Sequence, residues 1–277
     1  MDAGPLRDLL TVVLGLATGA LSGLFGVGGG VISQPGMRLL GLPPLMVIGT
    51  ALPVIIPGAV SGASRYVREG LIRWPAIVAT VPIGLAASVL GSIAAEHVPG
   101  DGHLLQLITA MLLGLSSYRM GSAASPPADE PLAETDAPEA PAARRAAART
   151  EHRALVGRYV AIGAAAGFLS GLLGIGGGVI MVPAFVQLAR IEVKSAIATS
   201  LVCVGAFAVP GTITHAIEGR VDWRMAIALV VGVVPGARIG AALTLKATDR
   251  RLRVTVASFL GATAVLYAIT ELLALTR

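Results

Sequence analysis

The sequence is poor in charge. Asp, Glu, Lys and Arg make up 13% of its 277 residues, while 55% are hydrophobic and the mean hydropathy is +0.79. So few charged groups could not cover a water-soluble domain of this length, which excludes soluble enzymes, nucleic-acid-binding domains and disordered chains. Apolar runs of about 20 residues match a helix that crosses a bilayer, and the alternating pattern of a transmembrane barrel is missing. The composition predicts an all-α, polytopic integral membrane protein.

Residues that carry common catalytic chemistry are also scarce. The single cysteine, Cys203, can form no disulfide within the chain, and the sequence has neither an HExxH zinc motif nor a phosphate-binding loop followed by Lys-Ser or Lys-Thr. We therefore expect no metal, no cofactor and no enzymatic activity. The net charge of +5 comes from Lys and Arg scattered between apolar runs, which argues against nucleic acid as a partner.

Glycine is abundant, with 35 residues, and part of it lies in a duplicated motif. Residues 19–35 and 167–183 are identical at 12 of 17 positions, including all six glycines, and the correspondence continues to Gly91 and Gly240. The chain is a duplicated unit whose copies are separated by a segment rich in proline and alanine, which cannot bury a core. We expect a first transmembrane repeat at 1–120, a cytoplasmic linker at 121–154 and a second transmembrane repeat at 155–277.

The charge distribution predicts how the two copies are oriented. An odd number of crossings per copy would invert the second copy relative to the first, and the Lys/Arg pattern agrees with this. Fifteen Lys and Arg fall in or beside the segments 65–73, 121–154, 187–195 and 246–253, which we assign to the cytoplasm, against five on the opposite side. Inverted repeats are typical of secondary transporters. This pattern predicts both termini outside.

Each copy carries a GxGGG motif, Gly26–Gly30 and Gly174–Gly178, followed by an apolar stretch too short to cross a membrane. Consecutive glycines weaken a helix by about 1 kcal/mol each, so we expect a broken helix with a short helix after it. At membrane depth such a break is tolerated where it lines a cavity, and the free N–H groups of the next helix would suit an anion. Close helix packing is the alternative. The predicted substrate contacts are Gly28, Gly29, Gly30, Gly176, Gly177 and Gly178.

Further motifs accompany the glycine breaks: GLxGxGGGxxxxP in both copies, a Thr/Ser pair early in the third stretch, His215 followed by Gly219 and Val221-Asp222-Trp223, and GARxGA at 236–241. Together they resemble the TauE/SafE family of sulfite exporters over nearly the whole chain except the linker. The resemblance implies transport of small sulfur-containing or organic anions, such as sulfite, sulfonate or sulfoacetate, driven by protons across the bacterial cytoplasmic (inner) membrane.

Arg238 is the one Lys or Arg that this topology leaves inside a membrane segment. A charge at that depth usually faces the bundle interior, and a guanidinium can hold an oxyanion by two hydrogen bonds. We therefore expect Arg238 to bind substrate, with a side chain that reaches the membrane surface as the alternative.

Polar residues near the breaks complete the candidate site. Ser33 and Gln34 follow the first break, and Thr50, Thr199 and Ser200 begin the third stretches, where they could contact substrate or else cap helices and bond freed backbone groups. Proton coupling needs a titratable group, for which the candidates are His215, Glu218 and Glu69, although solvated charge at segment ends is the common explanation for such residues. The predicted function is a proton-coupled secondary anion exporter working by alternating access, and the alternative is a passive anion channel.

Overall fold

The computed structural model describes residues 5–98, 103–122 and 141–275, and these residues form ten helices and no strand. The helices are α1 Pro5–Phe25, α2 Gly30–Leu39, α3 Pro44–Arg68, α4 Trp74–Glu96, α5 His103–Ser122, α6 Pro141–Leu173, α7 Gly178–Gln187, α8 Val193–Ile217, α9 Trp223–Lys246 and α10 Asp249–Leu275. Seven of the described helices are long and apolar enough to cross a membrane, namely α1, α3, α4, α6, α8, α9 and α10. The predicted all-α, polytopic membrane fold is confirmed.

The last part of the predicted linker is helical. Helix α6 begins at Pro141 rather than near residue 155, because the stretch that follows is rich in alanine and arginine, two strong helix formers, and proline suits the first helical turn. Residues 123–140 of the predicted linker lie outside the described part of the chain.

Helices α1 and α9 run parallel and pack through glycine. A Cβ atom placed on Gly19 would lie 2.8 Å from Cα of Val233, and one on Gly23 would lie 3.0 Å from the backbone nitrogen of Ala241. Small residues one turn apart let the two backbones approach closely, as in other membrane helix pairs. Their beginnings are joined by an ion pair of 2.8 Å between Arg224 and Asp8.

Helices α4 and α6 pack in the same parallel way. A Cβ atom on Gly163 would lie 3.0 Å from Cγ2 of Thr80, and one on Gly171 would lie 2.8 Å from the backbone nitrogen of Ser92. Each of the two pairs joins one helix from each half of the chain.

Helices α3 and α8 lie between these pairs and run antiparallel to each other. A Cβ atom on Gly62 would lie 2.8 Å from Cδ2 of Leu201, whereas one on Gly211, later in α8, would lie 2.8 Å from Cδ1 of Leu52, earlier in α3. The N–H of Asp222, just before α9, donates to Thr50 Oγ1 at 3.0 Å, and further along both helices the Ser61 hydroxyl donates to the Val234 carbonyl at 2.7 Å, so α3 runs parallel to α9.

Helix α8 runs parallel to α4, because the backbone N–H of Arg73 donates to Thr199 Oγ1 at 3.1 Å and the hydroxyl of Ser88 donates to the carbonyl of Phe207 at 2.9 Å. The helices α1, α3 and α9 therefore run one way, and α4, α6 and α8 run the other. We call the side where α1, α3 and α9 begin the first face, and the side where α4, α6 and α8 begin the second face.

The short helices α2 and α7 have ten residues each, which is about 15 Å or half of a hydrocarbon core. Helix α2 runs back along α1, since a Cβ atom on Gly29 would lie 2.7 Å from Cγ2 of Thr18 and one on Gly36 would lie 3.0 Å from Cγ of Leu14. It therefore returns the chain to the first face.

Helix α7 runs back along α6 towards the second face. A Cβ atom on Gly177 would lie 3.4 Å from Cβ of Ser170, and Arg158 Nη1 donates to the carbonyl of Leu188 at 3.1 Å. In each half of the chain, one long helix is thus followed by a short helix that turns back beside it.

Candidate functional site

The two glycine loops meet each other in the middle of the helix bundle. A Cβ atom on Gly28 would lie 3.7 Å from Cα of Gly176, and a Cβ atom on either glycine would lie within 2.8 Å of Val204 Cγ1. Val204 is near the midpoint of α8. The loops are true breaks, because φ is positive at Gly26, Gly28, Gly174 and Gly176, a conformation that side chains with a Cβ rarely adopt.

The short helices leave these loops in opposite directions, so their N-terminal ends lie close together. A Cβ atom on Gly30 would lie 2.7 Å from Cα of Ile175, and one on Gly178 would lie 2.7 Å from Cα of Val27. The first N–H groups of a helix have no partner within it, and its N-terminal end carries about half a positive elementary charge. Chemically, this arrangement suits a small anion.

The two helix N-caps differ in conformation although their motifs are identical. Gly29 has φ −65° and ψ −17°, in the helical region, whereas Gly177 has φ 67° and ψ −13°, in the left-handed region. Only the second position demands glycine on backbone grounds.

Ser33 lies in the first turn of α2 and is 1% exposed, and its hydroxyl has no hydrogen-bond partner among the described residues. Gln34 is engaged: its Nε2 donates to the carbonyl of Leu173 at 3.0 Å, and its Oε1 accepts from the hydroxyl of Tyr267 at 3.1 Å. Gln34 therefore bonds the end of α6, which is the backbone role considered as the alternative for it.

The predicted hydroxyls on the third stretches bond backbone groups of the other half. Ser200 Oγ donates to the carbonyl of Gly26 at 2.9 Å and so holds the first loop. Thr199 Oγ1 accepts from the N–H of Arg73 at 3.1 Å near the second face, and Thr50 Oγ1 accepts from the N–H of Asp222 at 3.0 Å near the first face. The structure does not bring Thr50 and Thr199 together with the glycine loops.

Arg238 lies away from the glycine loops. Its side chain is exposed and lines a cavity of about 340 Å³ near the second face, together with Ser64, Arg65, Arg68 and Glu69. This cavity is strongly basic, with three arginines and one glutamate, so Arg238 and Glu69 share one environment.

His215 and Glu218 lie at the end of α8, near the first face. His215 Nδ1 is 3.6 Å from Glu218 Oε2, and Arg220 Nη1 is 2.7 Å from the same oxygen. His215 is buried, and Glu218 is partly exposed. Among the residues that the structure describes, no three His, Cys, Asp or Glu side chains come together as metal ligands.

Two buried hydroxyls beside the short helices were missed in the sequence. Thr18 and Ser170 are 0% exposed, and neither hydroxyl has a hydrogen-bond partner among the described residues. Ser170 belongs to the Leu-Ser-Gly part of the repeated motif, which could have drawn attention to it. Thr18 precedes the motif, and its position opposite α2 follows only from the fold.

Comparison with known proteins gives one family. The model of the family described as "Sulfite exporter TauE/SafE" matches residues 11–267. "Probable membrane transporter protein YunE" of Bacillus subtilis (strain 168) is 30% identical over 249 residues, covering 86% of this chain and 89% of the relative. "Probable membrane transporter protein" of Xylella fastidiosa (strain 9a5c) is 26% identical over 245 residues, covering 86% and 85%. No solved structure matches the chain.

Proposed function

Because the chain belongs to the TauE/SafE sulfite exporter family, we propose that it exports a small sulfur-containing or organic anion, such as sulfite, a sulfonate or sulfoacetate. The seven membrane-length apolar helices in the described part of the chain, together with its relatives, make it an integral membrane transporter. In this proposal it is a secondary transporter of the cytoplasmic membrane that works by alternating access and couples to protons. The observation that carries the proposal is the meeting of the N-terminal ends of α2 and α7 at the buried glycine loops.

Two inverted repeats are part of this proposal, and the helix directions support them. Helix α3 runs antiparallel to its counterpart α8, and α1 runs opposite to its counterpart α6. Helices α1 and α2 together return the chain to the first face. The side on which the second half begins is therefore determined by the next three helices, α3, α4 and α5. Three is an odd number, so the second half begins on the opposite side.

We assign the second face to the cytoplasm. The ends of α3, α5 and α9 and the beginnings of α4, α6, α8 and α10 lie there, and the residues at or beside these helix ends include 15 of the 21 lysines and arginines. Positive charge is retained on the cytoplasmic side during membrane insertion. On this assignment both termini lie outside.

The proposed binding site consists of the glycine loops, Gly28–Gly30 and Gly176–Gly178, and Ser33, which all supply neutral hydrogen-bond donors. Gln34 and Ser200 support these donors by bonding backbone carbonyls beside the loops. Thr50 and Thr199 bond the backbone just before α9 and α4 and so hold the two halves together. Arg238 binds the anion earlier on its path, at the basic cavity of the second face, where the local positive potential raises the concentration of anions.

For proton coupling we assign His215 and Glu218 near the first face and Glu69 at the second-face cavity. Histidine is the side chain whose ordinary charge change lies nearest to neutral pH, which suits a coupling group, and His215 is buried with its Nδ1 3.6 Å from a Glu218 carboxylate oxygen. Replacing His215 by glutamine should make uptake into inverted vesicles insensitive to an imposed pH gradient.

The experiment that tests the function is transport by the purified protein in proteoliposomes, with sulfite, sulfate, methanesulfonate and sulfoacetate offered in turn, with and without a pH gradient. We expect at least one sulfur oxyanion to be concentrated against its gradient when the pH gradient is present. Flux that only dissipates a gradient would identify a passive channel, and the absence of flux for every anion would contradict the proposal. Protein-free liposomes serve as the control.

A further inference from the structure

We propose that Thr18 and Ser170 donate their hydroxyl hydrogens to the transported anion, and that the central site accepts a singly charged oxyanion. This inference rests on the proposed function, because it identifies contacts and a charge preference for the same site. Neither residue belongs to the glycine motifs themselves, and each stands beside the N-terminal end of one short helix.

Thr18 is an unusual threonine for its surroundings. A helical threonine commonly bonds the carbonyl one turn earlier, as Thr11 does on the same helix, where Oγ1 donates to the carbonyl of Arg7 at 2.7 Å. Thr18 is fully buried, and its hydroxyl has no partner among the described residues. Its Cγ2 lies 2.7 Å from the position of a Cβ atom on Gly29, the N-cap of α2. The Thr18 side chain thus packs beside the N-terminal end of α2, where the first turn leaves N–H groups free.

Ser170 repeats this arrangement at the other short helix. It is fully buried, its hydroxyl has no partner within the part of the chain that the structure describes, and its Cβ lies 3.4 Å from the position of a Cβ atom on Gly177, the N-cap of α7. Ser88, on the helix packed against α6, uses its hydroxyl to bond the carbonyl of Phe207 at 2.9 Å. A buried donor without a partner is unfavourable unless another molecule accepts its hydrogen bond, and beside the two helix ends the transported anion can accept both.

The charge preference follows from what surrounds the two helix ends. Residues 9–37 and 159–189 contain no Asp, Glu, Lys, Arg or His. Within these two segments the positive potential therefore comes from the two helix ends, at about half an elementary charge each, or about one in total. That total balances one negative charge, whereas a dianion would keep one unit of charge uncompensated in a buried site.

The test measures anion binding to the purified full-length protein in detergent. The readout is the shift in melting temperature that a bound ligand produces. The probes are methanesulfonate, a monoanion, and sulfate, a dianion. The variants are Thr18→Val and Ser170→Ala, and the matched controls are Thr11→Val and Ser88→Ala, which remove buried hydroxyls that already have partners. We expect wild type and controls to bind methanesulfonate more tightly than sulfate, and each variant to bind methanesulfonate about tenfold or more weakly.

The stability of the protein without ligand separates a binding role from a structural one. Thr18→Val exchanges an unpaired hydroxyl for a methyl group of similar size, so its melting temperature without ligand should not fall. Thr18→Ser keeps the hydroxyl and should keep most of the affinity for methanesulfonate. This variant tests the contact even where Thr18→Val does not fold. A lower melting temperature with unchanged affinity in Thr18→Val would overturn the assignment.

The remaining outcomes separate this inference from the function on which it rests. Wild-type protein that responds to no oxyanion, including sulfite, would contradict the proposed function itself. A normal methanesulfonate response in both Thr18→Val and Ser170→Ala would overturn the two contacts and leave the function standing. Sulfate binding as tight as that of methanesulfonate would overturn the charge preference alone.

Discussion

Alanine substitutions at Gly29 and Gly177 should separate the binding role of the glycine loops from their packing role. Gly177 has φ 67°, and a Cβ atom there would overlap the carbonyl oxygen of Ala166. The left-handed conformation alone costs a residue with a Cβ about 1–2 kcal/mol. With the overlap added, Gly177→Ala should lower the free energy of unfolding by about 2 kcal/mol or more.

Gly29→Ala should be far milder for stability. Gly29 already has a helical φ of −65°, and its added Cβ would meet only the Cγ2 methyl of Thr18, at 2.7 Å. A threonine side chain in a helix has two accessible rotamers, so this methyl can turn away. Alanine also gains about 0.4–1 kcal/mol over glycine by restricting the unfolded chain, which offsets the remaining contact.

The assay measures the melting temperature and the transport rate of both variants in parallel with Gly157→Ala, a control at which an added Cβ meets no atom within 4 Å. Gly29→Ala should keep its stability and lose most transport, because its methyl group stands over the free N–H groups of α2. Gly177→Ala should lose both. Wild-type transport by Gly29→Ala would refute the binding site, and wild-type stability of Gly177→Ala would refute the conformational argument.

Three further predictions follow from the same contacts. Arg238→Gln should raise the KM for an anion supplied at the second face several-fold, at an unchanged melting temperature. Arg238→Lys should have an intermediate KM, because it keeps the charge but not the planar donor pair. An unchanged KM in Arg238→Gln would contradict the proposed role of Arg238 in binding the anion. Ser200→Ala should lower the free energy of unfolding by about 1 kcal/mol, because the buried carbonyl of Gly26 loses its donor; chemical denaturation measures this, and equal stability would show that the bond contributes nothing. A reporter fused after Arg277 should be active only outside the cytoplasm, and cytoplasmic activity would contradict the inverted repeats.

The general class of this protein was accessible from the sequence because it follows from composition. A chain with 13% charged residues cannot fold as a soluble domain of this size, and its apolar runs have the length of membrane helices. The confirmed features are therefore the helical fold and the membrane-spanning segments. Helices α1 and α6 also end, at Phe25 and Leu173, where the glycine runs begin and helix propensity is lowest.

The detail of the site depends on contacts between the two halves, which local sequence does not encode. Ser200 bonds the carbonyl of Gly26 across 174 positions, and Gln34 bonds that of Leu173 across 139. The two GxGGG motifs also have different N-cap conformations at Gly29 and Gly177, and different residues stand opposite them, Thr18 at the first and Ala166 at the second. The substrate-binding role of Arg238, inferred from its depth and its guanidinium group, stays a prediction, and its place at the basic cavity with Arg65 and Arg68 follows only from the fold.

Counterflow in proteoliposomes tests most directly whether the protein is an anion transporter with alternating access. Vesicles are loaded with a high concentration of unlabelled methanesulfonate and diluted into a trace of the labelled anion, without any pH or electrical gradient. A transporter that exposes one site to each side in turn will accumulate the label transiently above its equilibrium level, and Gly29→Ala will abolish this overshoot. Label that rises only to its equilibrium level in wild-type vesicles would contradict alternating access and identify a passive pore.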